Sequence, residues 1–565
     1  MAPSPSAAAP QTPASRTHAT VIVLLLCMAA ALALRVWMIA DDGLWLDEGY
    51  SVWLAAQPFA QMLERIVTTD QHPPLYYALL WLWRWGGDSE TYLRLLSTLF
   101  GVLTIPALFW LGRRLLGTPA GLVAALLLTV SPFNIRYAQE VRMYALLMLL
   151  ATLALLCLAG WLTTPQNGYA KSGEFQPGPT QKRKDARGWW AAGYVVCTWL
   201  MLLTHNTAIF LPIAANIFVI GWLLVARWRD YGRNDRQPGH GEDTPYGHDM
   251  SCPYNHGENA RSGHDMSCPS IRPLVRPAPR PWLVAQAALL LLWLLWLPAF
   301  LQQSAQVYAR FWIAAPSAQT MADALQNLLS AQRPDVAPWP ALLWLAAGAS
   351  LVLGMAALRR APALLALLAV LAVTPFVGEL LVSLRRPIFA ERTLIWTLIP
   401  LWLLMAAGIT RSRPRLVGGV LLAALLTINL LSVQNYYATF RREEWRTAAA
   451  YLAARAAPGD LVLFHTPWVQ LPFAYYLRRA RSDLVLQSTP LPLFDNNQLE
   501  PLVTPDQLGN IVTAVGDRQR VWLVYSHFWY SDPENLVPQQ LRQILPRCKE
   551  QQFFWDIAVQ LCRAR

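Results

Sequence analysis

The strongest constraint on this chain is the recurrence of apolar runs of about 20 residues, each long enough to cross a hydrocarbon core about 30 Å thick. Backbone polar groups in such runs must find partners inside the membrane, so each run is a predicted helix and the chain a polytopic membrane protein. Spans are expected at about 19–40, 92–111, 119–137, 141–162, 189–204, 206–226, 282–300, 338–357, 362–383, 393–410 and 416–433, roughly eleven crossings. The first, in "HATVIVLLLCMAAALALRVWMIA", is too long and too continuous with the mature sequence to be a cleaved signal. The stretch "PLYYALLWLWRWGG", 74–87, is apolar over only about a dozen positions and contains Arg84, so it reads as an interfacial or re-entrant helix.

Composition narrows the class further. Of 565 residues, 55% are hydrophobic, only 14% are charged and 26 are Trp, which sets aside an ordinary soluble enzyme. The net charge of +12 would suit nucleic acid, but the basic residues lie in loops beside the spans rather than on one soluble face. No nucleic-acid partner is expected. The loops "GRRLLG", "QKRKDARG", "ARWRDYGR" through "RPLVRPAPRP", "LRR" at 358–360 and "RSRPR" at 411–415 fall on one side of the membrane, which the positive-inside rule makes cytoplasmic. The tail 1–18 is then cytoplasmic and the carboxyl end exterior or periplasmic, as expected of a multi-pass cell (inner) membrane protein. The seven cysteines organise no disulfide framework.

Two stretches are not membrane-like. Within the spanning region 19–433, the segment 227–281 is rich in Gly, Asn, Asp, His and Pro, builds no core, and reads as a disordered cytoplasmic insert. It repeats "GHDMSCP" at 247–253 and 263–269. His248, Cys252, His264 and Cys268 have zinc-ligand chemistry, but without flanking packing they read as a duplicated low-complexity piece. From 434 to 565 the pattern changes: "EWRTAAAYLAARAAPGDLVLFH" is a helix, a turn and a strand, and "RQRVWLVYSHFW" another strand, predicting a small exterior α/β domain. Cys548 and Cys562 lie in it, where an oxidising exterior would permit them to pair.

Candidate chemistry gathers on the exterior face, much of it in the loop 41–91. "GLWLDEGYSVWLAAQ" sets Asp47 and Glu48 between Trp45 and Trp53. A carboxylate held between apolar walls can serve as a base, although a solvated loop would also explain the pair. His72 leads two prolines that suit a helix entry, and is either structural or orients substrate. Arg94, Arg136, Arg142 and Arg392, with Arg385 and Arg386 upstream, stand on the side where arginine is disfavoured; snorkelling aside, a bound phosphate is the natural reason for them. Glu140 and Glu391 adjoin these arginines and are alternative partners for them. Tyr137 and Tyr144 could stack on a sugar or belong to the interfacial aromatic belt.

"WLDEGYS", "HPPLYYALLWLW", "YLRLLSTLFGVLTIPALFWLGRRL", "SPFNIRYAQEVRMYALL" and "ERTLIWTLIP" together resemble the type C (GT-C) membrane glycosyltransferases. The likeness is to family-39-like bacterial proteins similar to protein O-mannosyltransferases and lipid A aminoarabinose transferases, and it covers about residues 20–435. It implies an α-helical polytopic fold and an enzyme passing a sugar from a polyprenyl or dolichyl phosphate to an acceptor on the far side of the membrane. By the same resemblance Asp47 is the base with Glu48 beside it, and Arg94 and Arg392 lie near the donor phosphate; Arg142 is placed with them by its membership of the outer-face arginine cluster. The "HPPL" motif begins at His72, but Tyr76 and Tyr77 replace the Gly-Lys of the mannosyltransferases, leaving sugar and acceptor open.

Physical chemistry agrees with that expectation. Inverting transfer needs one base for the acceptor hydroxyl, and a phosphate leaving group needs cations rather than a second carboxylic acid. The substrate-positioning candidates are His72, Tyr137, Glu140 and Tyr144. The expected partners are the donor lipid, a lipid, glycan or protein acceptor, and membrane lipids. No cofactor is required; adjacent carboxylates can hold magnesium or calcium, but few other oxygen ligands accompany them, so a metal is not favoured. The rivals are a transporter or flippase of lipid-linked sugars and a noncatalytic envelope assembly protein.

Overall fold

Leucine- and alanine-rich runs lose little side-chain freedom in a helix and close every backbone bond within the segment, which fixes the architecture of the membrane part. The computed structural model describes residues 13–164, 180–234, 271–309, 313, 315–491 and 502–564. The "GHDMSCP" repeats and most of the expected insert lie outside the described residues.

The amino-terminal half runs α1 (Pro13–Val36), α2 (Leu46–Ala55), α3 (Phe59–Thr69), α4 (Leu75–Trp83), α5 (Glu90–Leu116), α6 (Thr118–Thr129), α7 (Pro132–Ala138) and α8 (Tyr144–Thr163). Among the described residues eight helices are long and apolar enough to cross a membrane, and ten crossings result if each of two bent pairs counts as one. The protein is a multi-pass membrane protein. The remaining expected span, 189–204, falls on the helix Thr180–Leu202, whose opening "TQKRKDAR" leaves it a shorter apolar stretch. The 74–87 segment yields α4, only 9 residues long and far short of a crossing.

Position in the bundle follows from burial. The helix Tyr144–Thr163 has 83% of its apolar window buried and Glu391–Arg411 has 89%, against 17% for Thr17–Val36, so the first two are central and the last is peripheral. Close approach needs small residues. A Cβ on Gly354 would collide with the Leu404 carbonyl and one on Gly408 with the Ser350 carbonyl, so Trp339–Leu358 and Leu398–Arg411 touch backbone to backbone.

The expected continuous spans 119–137 and 282–300 are bent instead, each by 61°. In the first, Ser131 caps α7 by accepting the Asn134 N–H at 3.4 Å and Pro132 stands in the first turn, where its missing N–H costs nothing. The bend leads into the turn 139–143, whose Val141 N–H and Arg142 side chain meet Glu48 and Ser51 of α2, where the exterior-face candidates gather.

After the helix Arg415–Thr439 the chain forms an α/β domain. Its strands are β1 (Leu461–Phe464), β2 (Val485–Ser488), β3 (Arg520–Ser526), β4 (Arg547–Phe554) and β5 (Ile557–Arg563), in the order β2-β1-β3-β5-β4. β1 is parallel to β2 and β3, while β5 is antiparallel to β3 and β4. Alternation divides the core: Val462, Phe464, Trp522 and Val524 face the helices Trp445–Ala453 and Pro467–Ala480, whereas Leu461, Leu463, Val521 and Leu523 face Gly509–Val515 and Leu536–Ile544. Cys548 and Cys562, direct register partners on β4 and β5, form a disulfide.

Candidate active site

The site begins with how α2 starts. Glu48 reaches back to accept the Trp45 N–H at 3.2 Å, half of a capping box, and this fixes Asp47 in the first helical turn. Glu48 itself is completely buried. Its Oε1 accepts Arg94 Nε at 2.9 Å and the Val141 N–H at 2.8 Å, and its Oε2 accepts Arg94 Nη2 at 2.6 Å. Burial would raise the Glu48 carboxyl, but the Arg94 guanidinium more than offsets this and holds it below the usual carboxylate range.

Arg94 donates its remaining hydrogens to the carbonyls of Ile39 at 2.7 Å, Asp42 at 2.9 Å and Gly43 at 2.8 Å. All five of its donors are therefore spent on protein. The expectation that Glu48 and Arg94 face substrate differs from this geometry. They are an enclosed pair tying α5, the segment 39–43 between α1 and α2, α2 itself and the turn at Val141 together, with no donor left for a lipid phosphate.

Asp47 points elsewhere. Its side chain is 27% exposed, and its Oδ2 accepts Arg392 Nη1 at 3.3 Å and lies 3.8 Å from Arg142 Nε. Arg142, in the turn before α8, also donates from Nη1 to Ser51 Oγ and Tyr77 OH, both at 3.3 Å. Arg392 opens the helical turn Glu391–Thr397 ahead of Leu398–Arg411. Two cations from distant parts of the chain thus converge on one carboxylate oxygen of a partly exposed side chain.

Arg392 also lines a cavity of about 240 Å³, together with the polar residues His72, Tyr144, His205 and Gln303 and the apolar residues Phe210, Phe300 and Ile388. The Arg392 guanidinium stands 5.8 Å from the Tyr144 ring centre, and Tyr137 packs edge-on behind that ring at 5.0 Å. His72 bonds Asp70 through Nδ1 at 2.8 Å, and its ring meets His205 at 5.2 Å. Burial, followed by His72 and the two arginines, pushes His205 well below its ordinary value. Burial also lowers His72, with Asp70 opposing it.

Of the residues singled out from sequence, Asp47, Arg142, Arg392, His72 and Tyr144 come together here, and Tyr137 supports Tyr144. Glu140 is turned away, 3.4 Å from Arg136 Nε and 3.8 Å from Arg442 Nη2, and burial raises its carboxyl. His205, Gln303, Glu443 and His527 escaped the sequence reading. His205 alone had a local signal, a histidine breaking two apolar runs in "MLLTHNTAIF". Among the described residues no group of three or more His, Cys, Asp or Glu side chains is arranged to hold a metal ion.

Residues 71–171 match the family model described as dolichyl-phosphate-mannose-protein mannosyltransferase. No curated protein sequence matches the chain significantly. The structure is similar to that of ArnT from Cupriavidus metallidurans in the apo state, at 14% identity and TM-score 0.56 over 97% of this chain and 99% of that one. It is similar to the same protein bound to undecaprenyl phosphate, at 13% identity and TM-score 0.55 over 97% of this chain and 98% of that one. The archaeal oligosaccharyltransferase AglB from Archaeoglobus fulgidus, in complex with an inhibitory peptide and a dolichol-phosphate, resembles it at 10% identity and TM-score 0.52 over 94% of this chain and 73% of that one. The type C glycosyltransferase fold expected from the sequence is the fold this chain adopts.

Proposed function

We propose that this chain is an integral membrane glycosyltransferase that moves a sugar from a polyprenyl-phosphate donor to an acceptor hydroxyl with inversion. The observation that carries this reading is the partly exposed Asp47 carboxylate held by Arg392 at 3.3 Å and Arg142 at 3.8 Å beside a cavity lined by both polar and apolar side chains. Asp47 takes the proton of the acceptor hydroxyl as its oxygen attacks the anomeric carbon. The bond from that carbon to the phosphate oxygen breaks, and its electron pair leaves with the lipid phosphate. Arg142 and Arg392 meet the charge that develops there, as guanidinium groups do for phosphate. The apolar lining residues suit the first part of the lipid, and the polar ones the sugar. Glu48 and Arg94 act as scaffold.

With Thr180–Leu202 counted as an eleventh crossing, the distribution of basic loops supports a cytoplasmic amino terminus, with the α/β domain and Asp47 together on the exterior face of the inner membrane. The acceptor, whether lipid, glycan or protein, arrives from that face. A flippase of lipid-linked sugars is the second reading, favoured by the two bent spans, since interrupted spans are common in transporters. Against it, the converging charges collect at one end of the bundle.

The test is transfer from radiolabelled polyprenyl-phosphate sugars by the purified chain in lipid. Asp47→Asn is expected to lower transfer by about 100-fold or more while leaving binding of undecaprenyl phosphate intact. Full transfer by that variant would remove Asp47 as the base. Transbilayer movement of the labelled lipid without transfer would put the flippase reading first.

A further inference from the structure

One short segment supplies the arginines of the cavity. Residues 384–393, running from the end of the span Pro362–Ser383 into the helical turn Glu391–Thr397, give Arg386, Ile388, Ala390, Arg392 and Thr393 to its lining. A connecting segment keeps one shape only where its polar groups find fixed partners. In its first half Ser383 Oγ accepts the N–H groups of Ile388 and Phe389, both at 3.1 Å.

The second half is held from within the span. Glu379 interrupts the otherwise apolar run "LLALLAVLAVTPFVGELLVS". Its side chain is completely buried on the stripe that also carries Leu371, Pro375 and Ser383, whereas Val373, Val377 and Leu381 are exposed on the other side of the helix. Among the described residues no cation pairs with it. A carboxyl at such a place is costly, and an ionisable group inside a span points to a function.

The contact that Glu379 makes is with the neighbour of Arg392. Its Oε2 lies 2.8 Å from Thr393 Oγ1, which lies 2.6 Å from the Ala390 carbonyl oxygen. A hydroxyl has one hydrogen, so Thr393 cannot donate across both contacts. Both are hydrogen bonds when Glu379 is in its acid form, donating to Thr393 Oγ1 while Thr393 donates to Ala390. The uncharged acid is also the form that an apolar span without a cation accepts. These two bonds in series pin residues 390–393, and with them Arg392, whose Nη1 lies 3.3 Å from Asp47 Oδ2.

We propose that Glu379 is a positioning residue: given a polyprenyl-phosphate donor, it locks the turn at Thr393 from within the span so that Arg392 meets both Asp47 and the lipid phosphate. Glu379 does not itself line the cavity and acts through Thr393 and Arg392. A residue kept only for stability would behave differently when replaced. Glu379→Leu is close in size and strands no donor, since Thr393 can still donate to the Ala390 carbonyl, so the fold should be no less stable. What it removes is the bond that fixes the turn.

The experiment measures binding of undecaprenyl phosphate to the full chain in nanodiscs, by displacement of a fluorescent analogue, alongside the thermal midpoint. Glu379→Leu is expected to weaken binding about tenfold, with a midpoint equal to or above that of the wild type. Glu379→Gln, whose amide can still donate to Thr393, should recover most of the affinity. Thr393→Val should weaken binding to a similar extent, and combining it with Glu379→Leu no further, because both remove the same bond.

Wild-type affinity in a folded Glu379→Leu overturns the proposal, as does a Glu379→Gln as weak as Glu379→Leu, or a double variant whose losses add. A Glu379→Leu that unfolds, or whose midpoint falls, shows that Glu379 serves stability and overturns it too. Failure of the wild type to bind undecaprenyl phosphate overturns the donor-lipid reading and this proposal with it, whereas wild-type binding with any of the contrary outcomes above overturns this proposal alone.

Discussion

Glu443, from the segment leading into the α/β domain, accepts the backbone N–H of Leu46 at 2.7 Å, one residue before Asp47. The same Oε2 accepts Trp445 Nε1 at 2.7 Å, and Oε1 lies 3.3 Å from His527 Nε2 at the end of β3. The helix start that presents Asp47 is therefore held by a side chain nearly 400 residues away along the sequence (|i−j| = 397). The α/β domain is part of the machinery that aims the proposed base.

Removing that carboxylate should loosen the aim. Glu443→Ala strands two N–H donors, each costing about 1–3 kcal/mol where buried. Transfer is expected to fall about tenfold or more with donor-lipid binding unchanged, and Glu443→Gln, which keeps an acceptor for Leu46, should recover much of the loss. Steady-state kinetics of the two variants decide it; a fully active Glu443→Ala would show that the contact is dispensable.

His527 gives this contact a pH dependence. Burial alone would lower the imidazole, but Glu443, with Asp556 and Asp47 adding to it, more than offsets this and raises it above its ordinary 6.5. A raised histidine contributes stability that is complete below 6.5 and is lost as pH rises through the folded-state value. The difference in thermal midpoint between wild type and His527→Gln should therefore be largest at about pH 6 and shrink in alkaline buffer. A pH-independent difference would count against the pairing.

Arg94 and Arg392 should fail in different ways. Arg94→Ala leaves Glu48 buried without its cation, a change worth about 3–5 kcal/mol, and is expected to be poorly folded. Because the Glu48 carboxyl is depressed below its ordinary 4.5, the pair's contribution is present above that value and is lost as pH falls. Arg392→Ala should fold normally and lose transfer. Thermal unfolding alongside binding of undecaprenyl phosphate separates the two; a stable Arg94→Ala that no longer binds the lipid would return Arg94 to the donor site.

Gly49 is where α2 meets the helix Pro467–Ala480. An added Cβ would lie 2.7 Å from Pro472 Cβ and 2.9 Å from its Cα, and neither the ring nor the backbone can move aside. Gly49→Ala is expected to cost about 1–3 kcal/mol and to reduce transfer by tilting α2 away from Arg142 and Arg392. Wild-type activity in Gly49→Ala would mean that this interface has slack.

Several features of the site are visible in the sequence because their signals are local. The Asp-Glu pair in "WLDEGYS", the arginine in "ERTLIW" and the histidine in "HPPL" each break an apolar pattern, and a charge beside a span needs a reason. Which carboxylate of the pair serves the site was not legible. Asp47 and Glu48 are neighbours with the same chemistry, yet α2 turns one toward Arg392 and the other into the scaffold beneath Arg94. Arg94 and Arg142 look alike in sequence for the same reason. The roles of Glu443 and His527 left no local trace, since each is one polar residue in an ordinary α/β pattern.

By itself the sequence determined where the apolar membrane segments lie, the boundary near which the α/β domain begins, and the residue types available for chemistry. These follow from hydrophobic length and period, which act over one turn or one bilayer thickness. The tertiary structure decided the 61° bends, the division of labour between Asp47 and Glu48, and the grip of the α/β domain on α2. Each of these depends on which partners meet across the fold, and a hydrogen bond between residues 48 and 94, or 46 and 443, is set by packing that no local window contains.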